Sequence, residues 1–113
     1  MREYFPDRWV IIKIEGTSVP KPYYRIFGSW YGGYCGSDSW KMSSGIESVS
    51  YDPANDQYTM PQSSGSLYKF YKSNHGMSGY AFNVYKSYEA LNSDACRISI
   101  MDENFDLAAA LQM

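Results

Sequence analysis

Arg8-Trp9-Val10-Ile11-Ile12-Lys13-Ile14-Glu15 is the stretch on which the fold turns. Its β-branched run favours an extended backbone, and successive side chains of a strand point to opposite faces. Val10, Ile12 and Ile14 therefore share one face, while Trp9 and Ile11 make the other face apolar too. A strand with two apolar faces belongs in the middle of a sheet that is covered on both sides. Residues 16–22 follow, with prolines at 20 and 22 that cannot donate to a ladder, so the strand gives way to a connection.

Outward from this strand the chain keeps to short extended runs. Tyr23-Tyr24-Arg25-Ile26-Phe27 reads as a second strand that reaches toward Trp30. A third covers residues 40–51, with a bulge near Ser43-Ser44-Gly45 that lets it curve. The turn signal Asp52-Pro53-Ala54-Asn55-Asp56 leads into a short strand at 57–60, and Gln62-Ser63-Ser64-Gly65 turns the chain into another at 66–72. Strands joined by such short turns predict an antiparallel meander.

The period changes after Ser73-Asn74-His75-Gly76. Met77, Tyr80, Ala81, Val84, Tyr85, Tyr88 and Leu91 recur at spacings of three and four, which predicts one helix over about residues 78–91, with Ser78 as N-cap and Asn92 as stop. Residues 95–101 return to period two with Cys96, Ile98 and Ile100 inward, and this strand is expected beside residues 8–15, which need a second neighbour. Asn104 is the expected cap of a short C-terminal helix over 105–111, stable only when packed. The expected fold is α+β and mostly β, a single domain over residues 1–113. Its form is a curved antiparallel meander of five to six strands, or a partly open barrel, with one packed helix and the short terminal one.

Composition narrows the function classes. The chain has 113 residues and a net charge of −2, with 10 basic residues against 12 acidic ones, so it lacks the basic footprint of a duplex-DNA binder. Five acids and a single base, Arg97, lie from Glu89 onward, which leaves residues 1–88 with only a slight basic excess. No apolar stretch has the length of a membrane span and the first residues do not form a signal peptide, so the chain is expected to be soluble, without membrane contact, and cytoplasmic. Two cysteines, Cys35 and Cys96, are too few for a disulfide framework, and reduced thiols are expected.

No catalytic set emerges. His75 is the single histidine, and with Cys35 and Cys96 it has no zinc-site spacing, so neither metal nor cofactor is expected. Cys35 with His75, oriented by Asp38, has the residue types of a thiol nucleophile and its base, but nothing marks an oxyanion hole or a cleft. Gly28, Gly32, Gly33 and Gly36 lack the lysine of a phosphate loop and precede no helix, so they read as permission for tight turns. Cys96 reads as core.

Aromatic residues are the strongest remaining lead, at 18% of the chain with 12 tyrosines. Trp30, Tyr31, Tyr34 and Trp40 gather around the end of a long hairpin, and Tyr68-Lys69-Phe70-Tyr71-Lys72 interleaves rings with cations. Rings so placed can bury against a protein partner or a second copy, or stack bases of single-stranded nucleic acid while lysines neutralise phosphate. They can equally be the core and rim of a small tyrosine-rich domain.

Arg8-Trp9-Val10, Tyr24-Arg25-Ile26-Phe27-Gly28-Ser29-Trp30, Gly32-Gly33-Tyr34 and Asp38-Ser39-Trp40-Lys41-Met42 with Ser44-Gly45-Ile46 together resemble small uncharacterised proteins of marine T4-like phages, notably cyanophages. The resemblance covers the first half of the chain and implies a phage or marine metagenomic source and action in a host cytoplasm. It brings no inherited activity. The expectation is a small non-enzymatic accessory protein that binds another protein or its own copy through the aromatic surface around residues 23–46. The alternative is a single-stranded nucleic-acid-binding module; a third reading is a Cys35-dependent enzyme.

Overall fold

The computed structural model describes residues 2–32 and 36–112. Eight strands and two helices follow one another as β1 (Glu3–Tyr4), β2 (Arg8–Glu15), β3 (Tyr23–Trp30), β4 (Ser39–Met42), β5 (Ser50–Asp52), β6 (Gln57–Pro61), β7 (Leu67–Tyr71), α1 (Gly79–Glu89), β8 (Arg97–Met101) and α2 (Leu107–Leu111), with a single 3-10 turn at Lys72–Asn74 before α1. The α+β, mostly β class holds, but the strands divide into two open four-stranded sheets in place of one meander or barrel. One has the order β4-β3-β2-β8 and the other β1-β7-β6-β5.

The two apolar faces of β2 explain the division. One helix can cover only one face of a sheet, so the other face needs a second layer. Trp9 and Ile11 join Tyr24, Ile26, Met60 and Phe70 in a core between the two sheets, closed at one end by Leu107 of α2. Val10, Ile12 and Ile14 join Phe27, Ala81 and Tyr85 in a second core under α1. The molecule is thus three layers deep, sheet, sheet and helix, and β2 contributes to both cores. Each of its large side chains, buried at 6% exposure or less, stabilises the fold by about 1.5–3 kcal/mol. On its free side β2 pairs antiparallel with β8, Ile12 facing Ile100 and Ile14 facing Ile98, as its need for a second neighbour predicts. At the corner between them Gly16 has φ +147°, and a Cβ there would lie 2.3 Å from the Ala95 carbonyl oxygen, so only glycine fits.

The expected third strand over 40–51 is in fact two strands in different sheets. β4 ends at Met42, and the chain crosses from one sheet to the other with Gly45 at φ +148°. The crossing segment is held from both sides: the Ile46 amide donates to the Tyr24 carbonyl at 3.0 Å, and the Glu47 amide to the Pro61 carbonyl at 3.0 Å. Ser43, buried at the crossing, accepts a hydrogen bond from the Ile26 amide through its hydroxyl at 2.9 Å, which supplies the partner that the end of β4 no longer offers. A sequence reading of bulge and continued strand misses this because Ser43-Ser44-Gly45 serves either purpose. Two-residue β1 pairs parallel with β7, Tyr4 beside Tyr68.

Three local expectations change. Ser78 caps α1 as predicted, its hydroxyl accepting from the Ala81 amide at 3.1 Å. The inward stripe is narrower than its spacing suggested, since only Ala81 and Tyr85 of the helix are buried while Tyr80, Tyr88 and Leu91 are exposed at 48%, 42% and 77%. The helix stops at Glu89, so Leu91 lies past the surface that would have covered it. Asp106, not Asn104, caps α2, accepting from the Ala109 amide at 3.1 Å. Cys96 is exposed, because β8 begins one residue later and the cysteine sits in a turn, its carbonyl accepting from the Ser93 amide at 3.0 Å.

Candidate binding surface

β3 and β4 form the hairpin that the paired Ser-Trp dipeptides suggest, but register sends the two tryptophans to opposite faces. Ser29 stands opposite Trp40, and Trp30 opposite Ser39. Directly opposed residues share a face and neighbours alternate, so Trp30 faces the second sheet and Trp40 faces α1. Trp30 is half-buried edge-on to Tyr4, with ring centres 6.3 Å apart, and its indole N–H donates to the Phe5 carbonyl at 3.1 Å. Trp40, also half-buried, lies parallel on Phe27 at 5.3 Å and meets Tyr88 edge-on at 5.8 Å. The two tryptophans of the cluster expected at one hairpin end, with Tyr31 and Tyr34, therefore lie on opposite sides of the sheet.

Tyr31 is exposed at 50%; its hydroxyl accepts from Arg8 Nε at 3.3 Å and its amide donates to Asp7 at 2.9 Å. The Gly32 amide donates to Asp38 Oδ1 at 2.9 Å, and a Cβ at Gly32 would come within 2.4 Å of the Gly36 backbone. Asp38 thus closes the loop. Tyr34 and Cys35 lie outside the described residues. His75 lies edge-on to Trp9 at 4.7 Å, and its Nε2 is 3.3 Å from the Met101 carbonyl oxygen. Among the described residues no three His, Cys, Asp or Glu side chains gather as metal ligands.

The run Tyr68 to Tyr71 splits by the same alternation. Tyr68 and Phe70 are core residues, 1% and 0% exposed, so they offer no stacking platform to a nucleic-acid base. Phe70 packs against Trp9 at 4.7 Å and Tyr58 at 5.7 Å. Tyr71 alone of the three is exposed, edge-on to Phe5 at 5.3 Å. Lys69 pairs with Glu3 at 3.1 Å.

What the structure does bring together is a groove of about 740 Å³ between β4 and the end of α1. Trp40, Met42, Tyr88, Leu91 and Ile98 supply its apolar lining, and Arg25 and Lys41 also line it. Of these, Arg25, Trp40, Lys41 and Met42 fall in the stretch 23–46 expected from sequence, and Trp40 alone is one of the rings expected to bind. Tyr88 and Leu91 were read as buried, and the signal that could have flagged them is the position of Leu91 beside the stop at Asn92, past any helical turn able to hold it down. Within α1 Tyr85 donates its hydroxyl to Glu89 at 3.1 Å, and burial together with that bond raises the Tyr85 pKa to about 12. The Lys86 ammonium and the Tyr85 hydroxyl in turn hold the Glu89 carboxyl below its ordinary range.

A second hollow of about 440 Å³ lies between β5–β6 and the segment around the start of α2, lined by Trp9, Tyr51, Tyr58 and Phe105 and by Asp102 and Asp106. None of the helices in the described residues is long and apolar enough to cross a membrane. Comparison of the chain with protein-family models, curated proteins and solved structures finds no match.

Proposed function

We propose that the protein is a small non-enzymatic binding module that engages another protein at the groove between β4 and α1. One observation carries this reading: Leu91 stands 77% exposed in an apolar groove beside Trp40, Met42 and Tyr88. Isolated exposed apolar residues are ordinary, but a contiguous set around a concavity is where protein contacts form. The occupant is a short partner segment that places one apolar side chain in the groove. Arg25 and Lys41 in its lining favour acidic residues next to that anchor.

Cys96 also lines the groove and is exposed, so a photo-crosslinker can be attached there in a Cys35→Ser background. The expected result is a conjugate with a partner protein that disappears in Leu91→Asp while the melting temperature stays unchanged, since Leu91 makes little of the core. A conjugate between two copies, with a dimer in ultracentrifugation, would assign the groove to self-association instead. A monomer without conjugate, or a conjugate indifferent to Leu91→Asp, would refute the reading.

A further inference from the structure

The geometry points to a phosphate-type oxyanion site in the small hollow of about 220 Å³ between the end of β4 and the Ser63–Ser66 turn, built by Arg25, Lys41, Ser44, Ser64, Ser66 and Tyr68. No carboxylate lines it. Among the described residues neither Arg25 nor Lys41 is ion-paired, although Lys13, Lys69, Lys86 and Arg97 all are. Lys41 instead lies over the Tyr4 ring, with its ammonium 5.2 Å from the ring centre. Two unpaired cations, a row of hydroxyls and no competing acid form a donor set suited to an anion.

Two buried atoms point the same way. The Tyr68 hydroxyl and the Arg25 Nε are buried and have no hydrogen-bond partner among the described residues. Buried donors are almost always satisfied, so an orphan donor on a residue that lines a hollow marks a place where something outside the chain supplies the acceptor. Burial raises the Tyr68 pKa above its ordinary value, with a smaller contribution from Tyr4, so the group stays protonated and can only gain from an acceptor. The serines are partly pre-set: Ser44 accepts from the Ser64 amide at 3.0 Å, which leaves its own O–H proton free to donate, and the Ser64 hydroxyl donates to Ser66 at 3.2 Å.

Size selects the ligand. The hollow is smaller than the roughly 300–1,000 Å³ of pockets that hold drug-sized molecules, so it takes a single tetrahedral oxyanion or a phosphoryl group presented from outside. Guanidinium and ammonium groups bind phosphate through charge-assisted hydrogen bonds, which exceed neutral ones in strength by about twofold. The hollow shares Arg25, Lys41 and Met42 with the groove under α1, but Leu91 belongs only to the groove and Tyr68 only to the hollow, so variants at those two positions separate the two readings.

The test is an NMR titration with inorganic phosphate at constant ionic strength, with chloride as control, on the wild type, Lys41→Met and Tyr68→Phe. The expected result is saturable shifts at the Ser44, Ser64 and Ser66 amides. Lys41→Met should weaken binding by about tenfold or more, as loss of a charge-assisted bond predicts. Tyr68→Phe should weaken it by about threefold or more while leaving stability unchanged or raised, because the hydroxyl it removes has no partner among the described residues. A purely structural role for Tyr68 would give the opposite pair of outcomes, lower stability and unchanged binding, and would overturn the assignment. Absence of saturation, equal shifts with chloride, or indifference to Lys41→Met would also overturn it. Phosphoserine and a nucleoside 5′-monophosphate, titrated in parallel, distinguish a modified side chain from a nucleotide as the source of the phosphoryl group; preference for neither assigns the free ion. Leu91→Asp, which abolishes partner capture at the groove, should leave phosphate binding intact.

Discussion

Replacing Phe27 by alanine tests whether α1 is held to the sheet by one aromatic stack. Phe27 is 0% exposed, its ring parallel to Trp40 at 5.3 Å and edge-on to Tyr85 at 6.4 Å. Truncating a buried phenylalanine costs about 3–5 kcal/mol, and each aromatic pair adds about 0.5–1.5 kcal/mol beyond area, which places Phe27→Ala near 4–5 kcal/mol. Domains of this size hold about 5–15 kcal/mol in all, so the variant should be marginal, with a melting temperature lower by roughly 15–25 °C. Urea unfolding followed by circular dichroism gives the loss, with Phe82→Ala as control: Phe82 is 47% exposed on the same helix and its removal should change stability by no more than about 0.5 kcal/mol. Hydrogen exchange then locates the effect. Only Ala81 and Tyr85 of α1 are buried, so its amides should lose protection ahead of those of β6 and β7. A loss below about 1.5 kcal/mol, or α1 amides that stay as protected relative to β6 and β7 as in the wild type, would refute the reasoning.

Ser43→Ala should cost about 1–3 kcal/mol in urea unfolding, since it strands the buried Ile26 amide that now donates to the Ser43 hydroxyl at 2.9 Å; an unchanged midpoint would show that another acceptor takes over. Tyr85 has its pKa raised from 10.0 to about 12, first by burial and then by the Glu89 carboxylate, so its stabilising contribution is complete below about pH 10 and is lost as pH rises toward 12. Tyr85→Phe should therefore flatten the alkaline fall in melting temperature, leaving the part due to Tyr58 and Tyr68, whose pKa values burial also raises. An alkaline slope as steep in the variant as in the wild type would refute this assignment.

Much of the scaffold was legible because it depends on local pattern. The two-faced apolar strand at 8–15, its pairing with 97–101, the Ser78 cap and the change of period before α1 all follow from residues a few positions apart. The candidate surface depends on register, which pattern does not supply. In the hairpin, Trp30 and Trp40 would share a face if the pairing were shifted by a single residue; Ser29 opposite Trp40 puts them on opposite sides. The burial of Tyr68 and Phe70 was available from the same alternation, because residues two apart in a strand point one way, and treating Tyr68-Lys69-Phe70-Tyr71 as a single patch overlooked it. The hollow at Arg25 and Lys41 left no mark in the sequence: it joins residues of four strands, β1, β3, β4 and β7, with the turn at 63–66, and only the chain's crossing between sheets assembles it.

The order in which the sheet around β2 is completed has a consequence for how the chain is made. β2 gains its first neighbour, β3, almost at once, but its other partner, β8, lies 82 residues beyond it between Glu15 and Arg97. At about 5–20 residues per second, a ribosome needs roughly 4–16 s to supply that partner. Throughout this interval the edge of Ile12 and Ile14 is unpaired on the nascent chain, which is the arrangement most prone to capture by another strand. The last link is an ionic one at the rim, Glu15 to Arg97 at 2.7 Å, and it can form only once synthesis has passed Arg97.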